Sequence, residues 1–189
     1  MDRNLAKDVA GAAMATVSGT FYRHASISYP ALRGSDSGGR WGPAGAYPVL
    51  YLGRPQESVI VEAYRHLGDD VEGMRGDLVA SRHFVTCEVN VTKLLDLRNP
   101  ASVLALGLTL ADLNGPHGPC QLIGQAAHQL GLHGVVAPAA TGMGETLARF
   151  ELHLPAEELP VQVAEELWEH LPADPRQYRV IRGGKLDSA

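Results

Sequence analysis

The sequence is short of cysteine, of positive charge and of long apolar segments. Its two cysteines, Cys87 and Cys120, have no CxxC spacing, which argues against a disulfide framework and against a zinc site. A formal net charge of −5 argues against a nucleic-acid binder, whose surface usually carries a basic stripe. No apolar run is long enough to cross a bilayer. The working interpretation is a cytoplasmic protein that binds neither nucleic acid nor a membrane.

Familiar catalytic and cofactor motifs are also missing. The sequence has no GxxxxGK[ST] and no GxSxG, and VVAPAATGMGE at 135–145 lacks the full GxGxxG, so an ordinary turn is preferred there. The histidines are scattered, and His128 and His133 do not share a helical face, so no metal site is expected.

Residues 9–16, VAGAAMAT, loosely resemble a secretory signal, but they contain no Leu, Ile or Phe and are interpreted as helix.

Hydrophobic periodicity predicts a single domain over residues 1–189. Helices are predicted over 4–16, 54–67, 120–132 and 161–170, and strands over 20–26, 48–53, 83–91, 133–138, 146–154 and 177–182, with a short apolar segment at 94–97. The acidic residues at 157, 158, 165, 166 and 169 are interpreted as a solvated helix face. Strands outnumber helices and do not alternate with them regularly, which favours an α+β fold over a doubly wound one.

Residues 28–47 have the composition of a loop at unusual length. They are rich in glycine, serine and proline and include the octapeptide GGRWGPAG at 38–45. Long loops inside compact domains are usually functional or disordered. Trp41 is expected to anchor this loop in the core, while Gly38 and Gly39 let the backbone approach a ligand closely.

Four polar or aromatic residues on consecutive elements have compatible chemistry. Two arginines, Arg23 and Arg40, can grip a diphosphate through bidentate hydrogen bonds. The ring of Tyr51 can stack on a flat heterocycle, and the carboxylate of Glu62 can stabilise positive charge that develops on a sugar. Each also has an ordinary explanation: a surface charge for Arg23, a core aromatic for Tyr51, and a helix-stripe neighbour for Glu62.

The combined motifs resemble a known family. The run FYRH … GGRWG … PVLYLG … SVIVEAYRHL, followed by LLDLRNP and GPCQLIGQAAHQLGLHGVVAPAA, is similar to the RES domain over about residues 20–145. RES domains are the toxin half of bacterial RES–Xre toxin–antitoxin pairs. The resemblance implies an α+β fold with a mixed sheet core like that of ADP-ribosyltransferase toxins, NAD+ as the substrate, and an Xre-type antitoxin as the partner.

The resemblance also assigns roles to individual positions. The implied catalytic residues are Arg23, Tyr51 and Glu62, and the implied NAD+-binding residues are Arg40, Gly39 and His24. His24 stands where the family can have tyrosine, and Gly42 stands where asparagine often follows GGRW. The family serine has no clear match, and Thr141 is a candidate source of the missing hydroxyl.

The implied reaction is cleavage of the nicotinamide–ribose bond of NAD+, with no metal. Water, phosphate or a protein side chain could accept the ADP-ribosyl group, and the sequence does not choose among them. Transfer to a protein would make the chain an ADP-ribosyltransferase. A catalytically weak protein that binds a nucleotide or a partner is the second hypothesis, and the missing serine supports it.

Overall fold

The computed structural model describes residues 3–69, 72 and 75–177, and a mixed β-sheet forms its centre. The strands are β1 (Met14–Ser26), β2 (Val49–Arg54), β3 (Arg82–Asp96), β4 (Gly134–Pro138), β5 (Glu145–Phe150) and β6 (Val161–Trp168). The helices are α1 (Arg3–Ala10), α2 (Gln56–Tyr64), α3 (Pro100–Ala105) and α4 (Gly118–Gln129). A π turn at Arg65–Asp69 follows α2, and 3₁₀ turns occupy Gly76–Leu78, Glu151–His153 and Ala156–Glu158.

Within the described residues, five strands close into a ring because β1 pairs with both β2 and β3. The order around the sheet is β1-β2-β5-β4-β3, and β6 extends it beside β3. The β3–β4 pair is parallel and the other pairs are antiparallel. The β1–β3 ladder runs from Met14 to Ser26, whereas the described β1–β2 pairing is confined to Tyr22 opposite Gly53. The pairing of β1 with β2 is therefore the shortest link of the ring.

Apolar side chains fill both faces of the ring, and α2 packs on a third cluster. Val135 of β4 joins the cluster under α4, and its neighbour Val136 joins the cluster on the other face. Both valines are fully buried, which explains why β4 is a continuous apolar run and not an alternating one. On α2, Ile60 and Ala63 pack with Phe84 of β3. This last contact fixes the helix that carries Glu62.

The predicted α+β fold with a mixed sheet is confirmed, and several elements lie close to their predicted positions. The predicted helices 54–67 and 120–132 correspond to α2 and α4, and the strands 48–53, 133–138 and 146–154 correspond to β2, β4 and β5. The long loop at 28–47 contains isolated bridges but no helix or strand. Both cysteines are free and buried.

The prediction of a helix over 4–16 is wrong at its end. Helix α1 stops at Ala10, and β1 begins at Met14, much earlier than the predicted strand 20–26. Met14 and Ala15 pair with Leu95 and Leu94 of β3, so the partner strand overrides the helical preference of small residues. The apolar segment 94–97 likewise belongs largely to β3, which is one continuous strand.

The prediction of a helix over 161–170 is wrong, because this segment is strand β6. Pairing with the first half of β3 decides its conformation, and the β-branched Val161 and Val163 suit a strand. The acidic residues are therefore not a helix face. Glu158 is buried, whereas Glu157, Glu165 and Glu166 are exposed.

One helix was missed by the prediction, and one predicted strand falls largely outside the described residues. Helix α3 was not predicted, although Asn99 caps it through a hydrogen bond from the Ala101 N–H and Pro100 occupies its first turn. The predicted strand 177–182 lies, beyond Gln177, outside the described residues.

Candidate active site

A cleft of about 760 Å³ is lined by residues from both β1 and β2, close to their short pairing. Its walls come from the end of β1, the glycine loop, β2, α2, the loop at 114–117 and the segment 138–146. All six residues singled out in the sequence line it: Arg23, His24, Gly39, Arg40, Tyr51 and Glu62. Four separate segments of the chain thus bring the predicted residues to one place.

Arg23 enters the cleft with hydrogen-bonding capacity to spare. Its Nη1 is buried and has no hydrogen-bond partner among the described residues. Burial lowers the pKa of Arg23 from its ordinary value, although the charge of Glu151 acts in the opposite direction. A buried guanidinium nitrogen without a partner is costly, so an anionic ligand that accepts from it would gain affinity.

His24, the next residue, is held by Arg82 at the start of β3. The Nε–H of Arg82 donates to Nδ1 of His24 over 2.8 Å, and the imidazole stacks on Trp168 with the ring centres 6.5 Å apart. Burial and the charge of Arg82 lower the pKa of His24 to about 3. His24 is therefore neutral at physiological pH.

Arg40 ties the glycine loop to the segment before α4. Its Nη1 donates to the carbonyl oxygens of Asp112 and Gly115 over 3.0 and 3.1 Å. On α4, the side-chain amide of Gln121 donates to the carbonyl of Gly39 over 3.0 Å. The Arg40 side chain is thus partly used inside the protein, and it also hydrogen-bonds the Cys120 side chain.

Trp41 anchors the loop in the core, as expected. Its side chain is buried. Its backbone N–H donates to the Tyr51 hydroxyl over 2.9 Å, and its backbone carbonyl accepts from the Tyr47 hydroxyl over 3.0 Å. Helix α4 approaches so closely that a Cβ on Gly124 would lie 2.1 Å from the Trp41 carbonyl oxygen. The loop therefore has a defined backbone despite its glycine content.

Gly39 and Tyr51 are in direct contact. A Cβ on Gly39 would lie 2.6 Å from the Tyr51 hydroxyl, so this glycine makes room for the tyrosine ring. Burial raises the pKa of Tyr51 to about 12. The neutral hydroxyl accepts from the Trp41 N–H, which fixes the ring at the wall of the cleft. Stacking of this ring on a ligand stays a prediction.

Glu62 presents a half-exposed carboxylate, 37% accessible, from α2. Its Oε1 lies 2.8 Å from Nε2 of His66, and its Oε2 lies 3.9 Å from Nη1 of Arg65. Burial acts to raise the pKa of Glu62, but the hydrogen bond from His66 and the charges of His66 and Arg65 outweigh it and hold the pKa below its ordinary value. The carboxylate is therefore ionised at neutral pH.

Two contacts beside the cleft were not predicted from the sequence. Arg65 donates to the Ala140 carbonyl over 2.6 Å, and the hydroxyl of Ser58 shares a hydrogen bond of 2.8 Å with that of Thr141, whose role as the source of the missing hydroxyl stays a prediction. The two contacts join α2 and the π turn after it to the segment after β4. The i, i+3 spacing of Glu62 and Arg65 could have predicted that their side chains lie close together on the helix. The Ser58–Thr141 contact spans 83 positions and left no local pattern.

The assembled cleft suits a ligand with an anionic part and an electron-poor part. Arginine side chains line it together with the Glu62 carboxylate, which lies beside the imidazole of His66. Across the described ranges, no group of three or more His, Cys, Asp or Glu side chains could hold a metal ion. None of the helices in the described part of the chain is both long and apolar enough to span a bilayer.

The fold and the cleft together place the chain in a known family. The model of the RES domain matches residues 13–176, which is most of the chain, and the chain belongs to that family. This confirms the resemblance inferred from the FYRH, GGRWG and VLYL motifs.

Individual relatives are similar over much of their length. The proteins described as NAD(+) phosphorylase MbcT from Mycobacterium bovis and Mycobacterium tuberculosis are 32% identical over 136 residues, or 70% of this chain and 73% of theirs. The fold is also similar to a chain in the crystal structure of the M. tuberculosis MbcT–MbcA toxin–antitoxin complex. That match has a TM-score of 0.79 and 26% identity, and it covers 97% of this chain and 99% of that one.

Proposed function

We propose that the protein is the toxin of a toxin–antitoxin pair and an NAD+ phosphorylase. Membership of the RES family and the activity named for the MbcT relatives support this proposal. The observation that carries it is the convergence of Arg23, Arg40 and Glu62 on one cleft. The two arginines offer positive charge for the diphosphate of NAD+, and the carboxylate offers negative charge for the ribose.

Arg23 and Arg40 bind the diphosphate in this proposal. The unpartnered Nη1 of Arg23 is the clearest support, since a buried donor without an acceptor costs about 1–3 kcal/mol until a ligand satisfies it. Arg40 contributes the N–H groups that its bonds to Asp112 and Gly115 leave over. Tyr51 supplies a ring wall for nicotinamide, next to Gly39.

Glu62 acts where the bond breaks. Nicotinamide leaves with the electrons of the glycosidic C–N bond, and the ribose carbon passes through a state with oxocarbenium character. An ionised carboxylate that is preorganised beside this carbon stabilises the developing charge. The lowered pKa of Glu62 keeps it in the ionised form. A phosphate oxygen then bonds to the ribose carbon and gives ADP-ribose 1″-phosphate and free nicotinamide.

The acceptor is tested by incubating the purified protein with NAD+, with and without phosphate. We expect NAD+ loss that rises with phosphate and a product one phosphate heavier than ADP-ribose in the mass spectrum. Free ADP-ribose as the product in the presence of phosphate would make water the acceptor. A labelled protein would identify the chain as an ADP-ribosyltransferase. No loss of NAD+ in any of these conditions would leave the weak nucleotide- or partner-binding protein as the function.

Arg23→Met tests the diphosphate contact. Methionine keeps the apolar stem and removes the guanidinium, so KM for NAD+ should rise by about tenfold or more, which corresponds to a lost charged hydrogen bond. Arg33→Met is the control, because Arg33 is an exposed arginine of the long loop that follows β1 and is not among the residues that line the cleft. Equal KM values in the two variants would contradict the role of Arg23.

An Xre-type antitoxin is the proposed partner, and it inhibits by covering the cleft. The solved MbcT–MbcA complex shows that a similar toxin pairs with an antitoxin. We expect acidic groups of the antitoxin to approach Arg23 and Arg40, because these arginines provide the positive charge of the cleft. Crosslinks from the co-purified partner to residues flanking the cleft would support this, and crosslinks confined to the opposite face would contradict it.

A further inference from the structure

The contact between Arg82 and His24 determines which imidazole nitrogen carries a proton. Arg82 Nε lies 2.8 Å from His24 Nδ1. A guanidinium can donate hydrogen bonds but has no acceptor. Nδ1 must therefore be the unprotonated nitrogen that accepts. In a neutral ring, the proton then resides on Nε2, and the imidazole becomes a donor toward whatever Nε2 faces.

The surroundings of His24 keep this ring neutral. Positive charges reach it from Arg82 on β3, from Arg23 beside it on β1, and from His66 after α2, while Glu62 is the opposing negative charge. The ring of Trp168 of β6 lies nearly parallel to the imidazole, with the ring centres 6.5 Å apart. Burial and these charges hold the pKa of His24 near 3, so the ring does not titrate at physiological pH.

The second nitrogen is available to a ligand. His24 lines the cleft together with Glu62, and the contact with Arg82 uses only the Nδ1 atom of its ring. A protonated imidazole here would pair with the Glu62 carboxylate and weaken the negative charge that the reaction uses. A neutral donor can bind a substrate oxygen without this effect.

We propose that Arg82 is a positioning residue that fixes His24 as a neutral Nε2–H donor, and that this donor binds an uncharged oxygen on the nicotinamide–ribose half of NAD+. The second half of this statement rests on the proposed function. The closeness of His24 to Glu62, which acts on the ribose, places the donor at that end of the substrate and not at the diphosphate.

Long-range ¹⁵N NMR of the protein without substrate tests the role of Arg82. We expect the His24 signals of the Nε2–H tautomer, unchanged from about pH 5 to pH 8. In Arg82→Met the signals should shift toward a mixture of tautomers and titrate closer to the ordinary value of about 6.5. Arg82→Lys should restore the Nε2–H tautomer, because an ammonium group is also a donor only.

Arg75→Met is the control for this measurement, since Arg75 is a largely exposed arginine paired with Asp77. Its His24 signals should match those of the parent. An Nδ1–H tautomer in the parent, or an unaltered tautomer in a folded Arg82→Met, would overturn the proposal. Arg82 would then only pack against its neighbours.

Kinetics test the donor. His24→Leu and Arg82→Met should each lower kcat/KM for NAD+ by about tenfold, as expected for one hydrogen bond. The double variant should lose little more than either single variant, because Arg82 acts through His24. Fully additive losses would contradict that coupling. If the parent protein consumed no NAD+, the proposed function and the donor role would both fail, and the NMR result would still decide the role of Arg82.

Discussion

Two carboxylate–histidine pairs in this molecule have nearly the same length and different surroundings. In the cleft, Glu62 lies 2.8 Å from His66, which is 60% exposed. At the opposite end of β3, Glu158 lies 2.7 Å from His133, and both side chains are about nine-tenths buried. The hydroxyl and N–H of Thr92 also donate to Glu158. The first pair is open to a ligand, and the second is closed.

The difference between the pairs is the number of partners that the protein itself supplies. Glu158 accepts from one backbone and two side-chain groups, and its own carbonyl accepts from the buried Arg149. The carboxylate of Glu158 is thus fully engaged by groups of the protein itself, which stabilises a single local structure. Glu62 keeps part of its surface for solvent or substrate. Exposure and the number of hydrogen-bond partners, and not the ion pair itself, therefore distinguish the Glu62 carboxylate from that of Glu158.

Glu62→Gln should have the largest effect, and on turnover alone. Glutamine has the same shape and a similar helix propensity, so Tm should stay close to that of the parent. Loss of one preorganised charge beside the ribose should lower kcat for NAD+ consumption by about 10²–10³, with little change in KM. In cells, the variant should be tolerated without the antitoxin.

Glu57→Gln is the matched control, because Glu57 is exposed in the first turn of the same helix. It should retain the turnover of the parent. Full NAD+ consumption by a folded Glu62→Gln protein would remove Glu62 from the mechanism.

Glu158→Gln should show the reverse pattern. An amide cannot accept from Thr92 and His133 as the carboxylate does, so the free energy of unfolding should fall by about 1–3 kcal/mol. Tm should decrease by about 2–4 °C per kcal/mol in a chain of this size, whereas kcat per folded molecule should be unchanged. Thermal melts and assays on the same samples measure both, and the exposed neighbour gives the control Glu157→Gln. A loss of kcat without a loss of stability would show that the two pairs are not functionally separate.

Arg40→Lys tests whether Arg40 binds the diphosphate in addition to its hydrogen bonds with Asp112 and Gly115. Lysine keeps the charge but loses the planar fork, so it cannot both bond Asp112 and Gly115 and grip a diphosphate. KM for NAD+ should rise by about three- to tenfold in steady-state assays. An unchanged KM would assign Arg40 to holding the loop alone.

The smallest expected effect is a change in acid stability. The hydrogen bonds from Thr92 and His133 outweigh burial and lower the pKa of Glu158, so its stabilisation is present above the unfolded carboxyl pKa of about 4.3 and is lost as pH falls through the folded value. The free energy of unfolding of the parent should therefore fall between about pH 5 and pH 3 more steeply than that of Glu158→Gln. Denaturant titrations across this range measure the two slopes. Parallel slopes would mean that Glu158 is not the responsible group.

Local sequence patterns predicted an element correctly where the residues of that element themselves favour its conformation. The apolar spacing of α2 and α4, the continuous run of β4 and the glycine content of the long loop each predicted the observed structure. Prediction failed where a partner strand decided the conformation. Residues 161–168 form β6 because the first half of β3, which is not paired with β4, offers backbone hydrogen-bonding groups to them. No local spacing in the sequence indicates this pairing.

The sequence by itself determined the family, the α+β class and the kinds of side chain that the site contains, because these follow from motifs and from residue chemistry. The tertiary structure alone decided how those side chains are partnered. It brought Arg82 to His24 across 58 positions and gave Glu158 its contacts with Thr92 and His133. Burial, tautomer and residual hydrogen-bonding capacity depend on contacts between distant segments, and such contacts exist only once the ring of strands has closed.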